Sequence, residues 1–226
     1  MSLITVCLTN WKRPENLEKI IAQVRSQSVP VKIFLWNNGE SIINNDIDWY
    51  VESSHNAMCS PRWFMAANAD TEFVCIYDDD LFLMDNNIFA DIVKLADKSP
   101  RGSIFGPTGV TLKPGTHYRD AEHHYSFRSI KQEDIRCDII KGSMMLMRTS
   151  ELQKKVNLNI FKFKREEDII VSALMADCQL NQHYCLLSFG DRFNSVGDDD
   201  VALWRHDGHM DARELACNEF FPQHND

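Results

Sequence analysis

Apolar positions recur with two different periods over the first hundred residues, and the change from one to the other marks out the elements. Residues 3–9 form a short apolar run of the kind that makes a buried strand. Behind Pro14, a residue suited to a helix's first turn, Leu17, Ile20, Ile21 and Val24 repeat at helical spacing with charged residues on the other face. Residues 31–36 read as a second strand closed by Asn37, Asn38 and Gly39, and residues 49–52 as a short third strand. Residues 61–69 read as a helix and 72–77 as a strand, followed by a helix over 87–96 with Ile88, Ile92, Val93 and Leu95 inward. Strand and helix in alternation predict an α/β fold, a mixed but mostly parallel sheet flanked by helices. Beyond Pro100 the periodicity weakens, and residues 101–135, rich in Gly, His, Tyr and charge, are expected to be an irregular or antiparallel portion that shapes a substrate pocket. Residues 139–147 return to strand character, 166–175 read as a helix and 184–188 as a last short strand.

Within that pattern the segment FVCIYDDDL, residues 73–81, carries the most chemistry. An apolar strand runs straight into Asp78, Asp79 and Asp80, and strand alternation would send Asp78 and Asp80 to one face and Asp79 to the other. Carboxylates this close repel one another and are costly to desolvate, so packing alone does not justify them. A divalent cation does: Mn²⁺ and Mg²⁺ prefer hard oxygen ligands, and Mg²⁺ sites combine one or two carboxylates with waters and substrate phosphates. Ligands of open α/β sheets also bind beyond the carboxyl ends of the strands. The competing reading is a solvated acidic turn. A second triplet, Asp198, Asp199 and Asp200, follows NSVG instead of an apolar strand and reads as loop.

Composition narrows the functional classes. A chain of 226 residues with 44% hydrophobic content fits one globular domain with an ample core. Its net charge of −9 disfavours nucleic acid and anionic membranes, which reward clustered Lys and Arg. Seven cysteines show no CxxC pair, and Cys7 and Cys75 fall inside apolar strands, which suits a reducing, cytoplasmic compartment. The opening LITVCLTN is too short and lacks the basic leader of a signal sequence. No stretch approaches the ~20 apolar residues of a membrane span, so a soluble protein is expected.

The segment HNAMCSPRWFMAANADTEFVCIYDDDL resembles nucleotide-sugar glycosyltransferases of the GT-A fold: an Asn, an Arg six residues on, a helix, a strand and the DxD motif. The polar turn Thr9, Asn10, Trp11, Lys12, Arg13 resembles the place where such enzymes hold the nucleotide. KGSMMLMRTSEL is similar to their acceptor-side strand, EEDIIVSALM to their Glu-Asp motif, and ALWRHDGHMDAR to the closing segment of some members. The resemblance spans nearly the whole chain and includes small glycosyltransferases encoded by large algal viruses (chloroviruses) and exostosin-like enzymes. It implies one Rossmann-like domain, with a nucleotide-binding half over about residues 1–100 and an acceptor-side half over about 101–226.

The resemblance also implies roles. Asp80 is the first choice for a direct Mn²⁺ (or Mg²⁺) ligand, with Asp78 and the distant His209, against which His206 competes. Asp78 and Asp79 would hold a metal-bound water or the ribose hydroxyls. Thr9, Asn10, Arg13, Asn56 and Arg62 belong to the nucleotide side, and Arg213 would contact the diphosphate as a bidentate donor. Asn37 and Asn38 could read a uracil edge, although an Asn-Gly turn explains them nearly as well. Asp168, with Glu167 beside it, would be the general base that deprotonates the acceptor hydroxyl. Acidic residues at a helix N-terminus are favourable in any case, which leaves a structural reading open. Trp11, Tyr118, Tyr125 and Trp204 are candidate sugar-stacking aromatics, and residues 107–128, with Gly106, Gly109 and Gly115, a candidate lid.

The expected function is metal-dependent transfer of a sugar from a nucleoside-diphosphate sugar, with UDP favoured, to a carbohydrate or glycoprotein hydroxyl. The stereochemistry stays open. A sugar-phosphate nucleotidyltransferase is the first rival, although LTNWKRPEN has no glycine where those enzymes carry a Gly-rich loop. A metal-dependent phosphohydrolase and a non-catalytic sugar-nucleotide-binding module are the others.

Overall fold

Strand β1, Ile4–Asn10, is buried at all seven positions and has a parallel partner on each side, β2 (Val31–Asn37) and β4 (Phe73–Tyr77). A parallel strand covered on both faces needs apolar residues in succession, which is why this stretch reads as a run and not as an alternation. The computed structural model describes residues 3–113, 115–120, 123–129, 132–163, 165–177, 179–196 and 207–222. Asp198, Asp199, Asp200, Trp204 and His206 lie outside the described residues.

The remaining strands are β3 (Trp49–Glu52), β5 (Leu81–Leu83), β6 (Phe105–Gly106), β7 (Thr108–Thr111), β8 (His123–Ser126) and β9 (Ile135–Cys137), then β10 (Ile139–Ile140), β11 (Met144–Arg148), β12 (His183–Cys185) and β13 (Phe193–Ser195). Eight of them form the main sheet in the order β3-β2-β1-β4-β11-β6-β12-β9. The first four are mutually parallel, and β11 enters antiparallel to both β4 and β6. A small sheet, β10-β7-β8, and the pair β13-β5 complete the strands.

Among the described residues six α-helices, α1 (Pro14–Arg25), α2 (Pro61–Ala67), α3 (Ile88–Ala96), α4 (Thr149–Lys155), α5 (Glu167–Met175) and α6 (His209–Phe220), cover the sheet. Leu17, Ile20 and Ile21 of α1 and Ile88 and Ile92 of α3 pack with Val6 and Leu8 of β1 in one apolar cluster. Cys7 points the other way, into a second cluster with Trp63 of α2, Ile169 of α5 and Ala216 of α6. No helix among the described residues is long and apolar enough to cross a membrane.

One sequence expectation changes here. The apolar run 139–147 is two strands in different sheets, β10 and β11, because Lys141, Gly142 and Ser143 form a turn that carries the chain from one sheet to the other. Residues 107–128 contain the antiparallel strands β7 and β8, one of the two forms expected of this portion, and Gly106 and Gly109 of the candidate lid are packing glycines. A Cβ on Gly106 would lie 2.3 Å from the Met144 carbonyl oxygen and 2.4 Å from Ile140 Cγ2, so only hydrogen fits where the two sheets meet. Gly106→Ala should therefore lower the urea-unfolding free energy by roughly 1–3 kcal/mol, the usual cost of overpacking. An unchanged midpoint would show that this junction gives way easily.

Candidate active site

A cavity of about 480 Å³ opens at the carboxyl ends of β1 and β4. From β1 the chain runs through α1 to β2 and β3, whereas β4 lies on the other side of β1. Such a reversal of strand order leaves a crevice at the strand ends. Thr9 near the end of β1, and Trp11 and Arg13 just after it, form one wall with Asn56, Met58 and Cys59. Tyr118, His124, Met210 and Arg213 form the far wall.

Asp78, Asp79 and Asp80 all line this cavity, contrary to the split that strand alternation predicts. The strand stops at Tyr77 and the chain turns at Asp79 and Asp80, so the period-2 rule no longer holds there. Two arginines make the cluster tolerable. Arg13 Nη1 donates to Asp79 at 2.6 Å and lies 3.5 Å from Asp80, and the Trp11 amide donates to Asp79 at 2.9 Å. Burial still pushes the Asp79 carboxyl up to about 6, against the pull of the Trp11 amide and Arg13. Arg62, delivered by the first turn of α2, is buried and pairs with Asp78. Burial alone would weaken the charge on its guanidinium, but Asp78 beside it holds the proton on more firmly than usual. The same side chain donates to the Gly142 carbonyl at 3.2 Å and lies 3.5 Å from Glu167 Oε1.

At the start of α5 the two acids of the Glu-Asp motif have different surroundings. Both Asp168 oxygens accept from Arg213, at 3.1 and 2.9 Å, and Asp168 Oδ1 also accepts from the Ile169 amide at 2.9 Å. Arg213 Nε donates to the Tyr118 hydroxyl at 2.8 Å, and the guanidinium lies 4.9 Å over that ring. The bidentate edge that the resemblance assigns to a diphosphate is therefore spent on Asp168, and the carboxylate it assigns as base has both oxygens engaged. Glu167 Oε2, in contrast, is buried with no hydrogen-bond partner. Burial raises the Glu167 carboxyl to about 7, although Arg62 opposes the rise. Glu166 is also buried but does not line the cavity; its Oε2 accepts from the Arg165 amide at 3.0 Å.

The structure brings Thr9 and Asn56 to the cavity but not Asn10, Asn37 or Asn38. Asn37 is fully buried and its amide is used up: its oxygen accepts from Asn10 Nδ2 and the Gly39 amide, and its nitrogen donates to the Glu40 carbonyl and Tyr50 hydroxyl. Asn38 accepts from Trp36 Nε1 and the Ala57 amide and donates to the Met58 carbonyl. Neither amide is presented to a base, and the turn reading explains both. Asn56 Oδ1 accepts from the Met58 amide at 2.9 Å, beside Met58 in the left-handed region at φ 61°. Tyr125 is not among the lining residues, whereas Trp11 and Tyr118 are. His124, Lys141, Ser143 and Arg165 line the cavity without having been singled out from the sequence. Their segments show weak periodicity, and only the glycine after Lys141 hints at a turn.

The donor set fits a hard divalent cation. Asp80 and Asp78 offer carboxylate oxygens to the cavity, and His209 Nδ1, in a residue that also lines it, is buried without a partner. Burial and the nearby Arg213 hold the His209 ring toward its neutral, ligand-competent form. No group of three His, Cys, Asp or Glu side chains is already gathered as a metal cage among the described residues. Mg²⁺ sites usually have this character, with one or two carboxylates and the rest of the shell from water and substrate phosphates. Thr9 Oγ1 and Ser143 Oγ are further buried polar atoms without partners in residues that line the cavity. Native interiors leave few such atoms, and their gathering here marks a place for a polar ligand.

The Tyr118–Arg213–Asp168 chain yields a test of its own, because the Arg213 and Asp168 side chains are each 7% exposed. Arg213→Met should destabilise the protein by roughly 3 kcal/mol by stranding a buried carboxylate. Tyr118→Phe should cost about 1 kcal/mol alone and close to nothing in the Arg213→Met background. Additive losses in this urea-denaturation cycle would mean the three groups do not act as a unit.

A family model described as the glycosyl transferase family 64 domain matches residues 2–224. No curated protein sequence matches the chain. Several solved structures are similar at low identity. TarS from S. aureus is 14% identical with a TM-score of 0.57, over 99% of this chain and 43% of that one. TarS 1–349 in complex with UDP is 14% identical with a TM-score of 0.57, over 98% of this chain and 71% of that one. The mannosyltransferase PcManGT from Pyrobaculum calidifontis, in complex with GDP-Man and Mn²⁺, is 14% identical with a TM-score of 0.54, over 98% of this chain and 62% of that one. The chain thus spans less than half the length of TarS. At this identity the likenesses establish architecture, a GT-A-like mixed sheet flanked by helices. The family match runs over nearly the whole sequence, and the chain belongs to glycosyl transferase family 64.

Proposed function

We propose that this chain transfers a sugar from a nucleoside-diphosphate sugar, with UDP or GDP as the nucleotide, to a hydroxyl of a carbohydrate or glycoprotein acceptor. The observation that carries the reading is one cavity holding three adjacent carboxylates, an orphaned histidine nitrogen and a separate unpartnered carboxylate oxygen. Family membership supports it, as do the UDP of the TarS complex and the GDP-Man and Mn²⁺ of the mannosyltransferase complex. Residues from Thr9 to Asp80 supply one side of the nucleotide site, and residues of the second half, from Tyr118 to Arg213, close that site and supply the acceptor side.

Asp80, Asp78 and His209 would hold Mn²⁺ or Mg²⁺, which supplies positive charge against the departing diphosphate. Arg62 pairs with Asp78 and Arg13 with Asp79, which holds both carboxylates in place. In the transfer the C1–O bond to the diphosphate breaks with its electron pair on the phosphate oxygen, and the acceptor oxygen bonds to C1. The acceptor proton goes to Glu167 Oε2. A carboxylate near pH 7 with a free oxygen suits a general base. Asp168 anchors Arg213 and thereby fixes the wall against which the acceptor lies.

Calorimetric titration with UDP and GDP, each with Mn²⁺ and with EDTA, tests the reading. One nucleotide should bind in Mn²⁺ and not in EDTA, and Asp80→Asn should weaken that binding at least tenfold. Undiminished binding by the variant would remove the metal from the account. Transfer reactions should release a nucleoside diphosphate; release of pyrophosphate would favour the nucleotidyltransferase.

Glu167→Gln should lower turnover by roughly 10²–10⁴-fold with nucleotide affinity kept within threefold. The stability of the ligand-free protein offers an independent check. Glu167 binds its proton more tightly folded than unfolded, so its contribution to stability is present below the unfolded value and is lost as pH rises through about 7. Glu167→Gln should flatten that loss, on the order of 2 kcal/mol between pH 4.5 and 7.5. An unaltered pH slope would place the raised carboxyl elsewhere.

A further inference from the structure

Lys141 stands apart from three arginines of the cavity wall, and Arg165, which also lines the cavity, has no ion pair among the described residues either. Arg13 is paired with Asp79, Arg62 with Asp78 and Arg213 with Asp168. No hydrogen bond or ion pair engages the Lys141 ammonium among the described residues, yet the side chain is partly buried and lines the cavity. Burial works against its charge, and Arg213 adds to the effect, more than Asp168 offsets. A cation in that position is unfavourable for the empty protein. A lysine kept for packing would lay its stem on apolar surface and put its ammonium in bulk water. This one lines the cavity, close enough to Arg213 for the two charges to oppose each other.

Its backbone is held in register with the carboxylates. Lys141 opens the turn between β10 and β11, with its amide on the Thr108 carbonyl at 2.9 Å. Two residues on, the Ser143 carbonyl accepts from the Asp78 amide at 3.0 Å, and between them the Gly142 carbonyl accepts from Arg62 at 3.2 Å. A Cβ on Gly142 would lie 3.0 Å from Arg62 Nη2 and 3.9 Å from Asp168 Cβ. The turn therefore sits where the aspartate cluster, Arg62 and Asp168 meet.

We infer that Lys141 is a phosphate-contacting residue of the donor site, whose ammonium meets the distal phosphate of the nucleoside diphosphate. The inference rests on the sugar-transfer reading above. As the C1–O bond breaks, the electron pair stays on that phosphate, and Lys141 takes up the added negative charge without gaining or losing a proton. Fixed positive charge aimed at the place where negative charge grows is worth more in the transition state than in the ground state.

The test is calorimetry in Mn²⁺ with UDP and GDP and the corresponding monophosphates, on the wild type, Lys141→Met and Lys141→Arg. Lys141→Met should weaken binding of the preferred diphosphate roughly tenfold to a hundredfold, the size of a lost charge-assisted hydrogen bond, and leave the monophosphate within threefold. Lys141→Arg should recover most of the loss. The ligand-free Lys141→Met protein should melt at or above the wild-type temperature, because an unfavourable charge has gone. Diphosphate affinity kept within threefold in Lys141→Met would overturn the inference and leave the ammonium to an anionic group on a sugar. Equal loss for monophosphate and diphosphate with a lowered melting point would overturn it in favour of a structural role. A wild type that binds neither nucleotide would refute the transfer reading itself, and the inference with it.

Discussion

Five carboxylates converge on one cavity, and the pairing of buried carboxylate with buried arginine is what the rest of the site depends on. Unpaired, these groups would hold protons or pull the strand ends apart. Arg62 answers Asp78 and approaches Glu167, Arg213 grips Asp168 with both nitrogens, and Arg13 serves Asp79 and Asp80. The compensation is uneven by position. Glu167 is buried with one oxygen unmatched, and that is where a proton is held near neutral pH. Stability and chemistry trade against each other in the same set of side chains.

The sheet makes this convergence possible. Parallel β1 and β4 end side by side, so the residues that follow each of them line the cavity without long loops. The antiparallel β11 brings the Lys141–Ser143 turn to the same end from the opposite direction, in register with Tyr77. Long-range pieces are then held by side chains: Glu214 of α6 accepts from the Tyr118 amide, and Arg213 of the same helix reaches Asp168 of α5. One wall of the cavity is thus a helix–helix contact and the other a set of strand ends.

The parts legible in the sequence were those with strong local signals. Continuous apolar runs gave β1, β2 and β4 within a residue or so at each end, and Pro14 and Pro61 marked the starts of α1 and α2. The aspartate triplet was legible because nothing in packing chemistry accounts for it. Its facing was not, since the turn at Asp79 and Asp80 ends the alternation on which that expectation rested. Asn37 and Asn38 misled for a related reason: an Asn-Gly turn and a base-reading amide look alike in sequence, and only saturation of the Asn37 amide separates them. Helix α6 escaped notice because few of its positions are inward, among them Ala216, Cys217 and Phe220. Lys141 could not have been found, because its meaning lies in the absence of a partner, a property of three dimensions.

The central claim is that the Asp78, Asp79 and Asp80 turn is a metal–nucleotide site. The most direct measurement is a crystal of the protein grown with Mn²⁺ and UDP or GDP, with anomalous diffraction recorded at the manganese edge. The account predicts a manganese peak within coordination distance of the Asp80 carboxylate, with the diphosphate between it and the far wall. Nucleotide density in the cavity with manganese absent from the three aspartates, or manganese bound elsewhere on the surface, would contradict it.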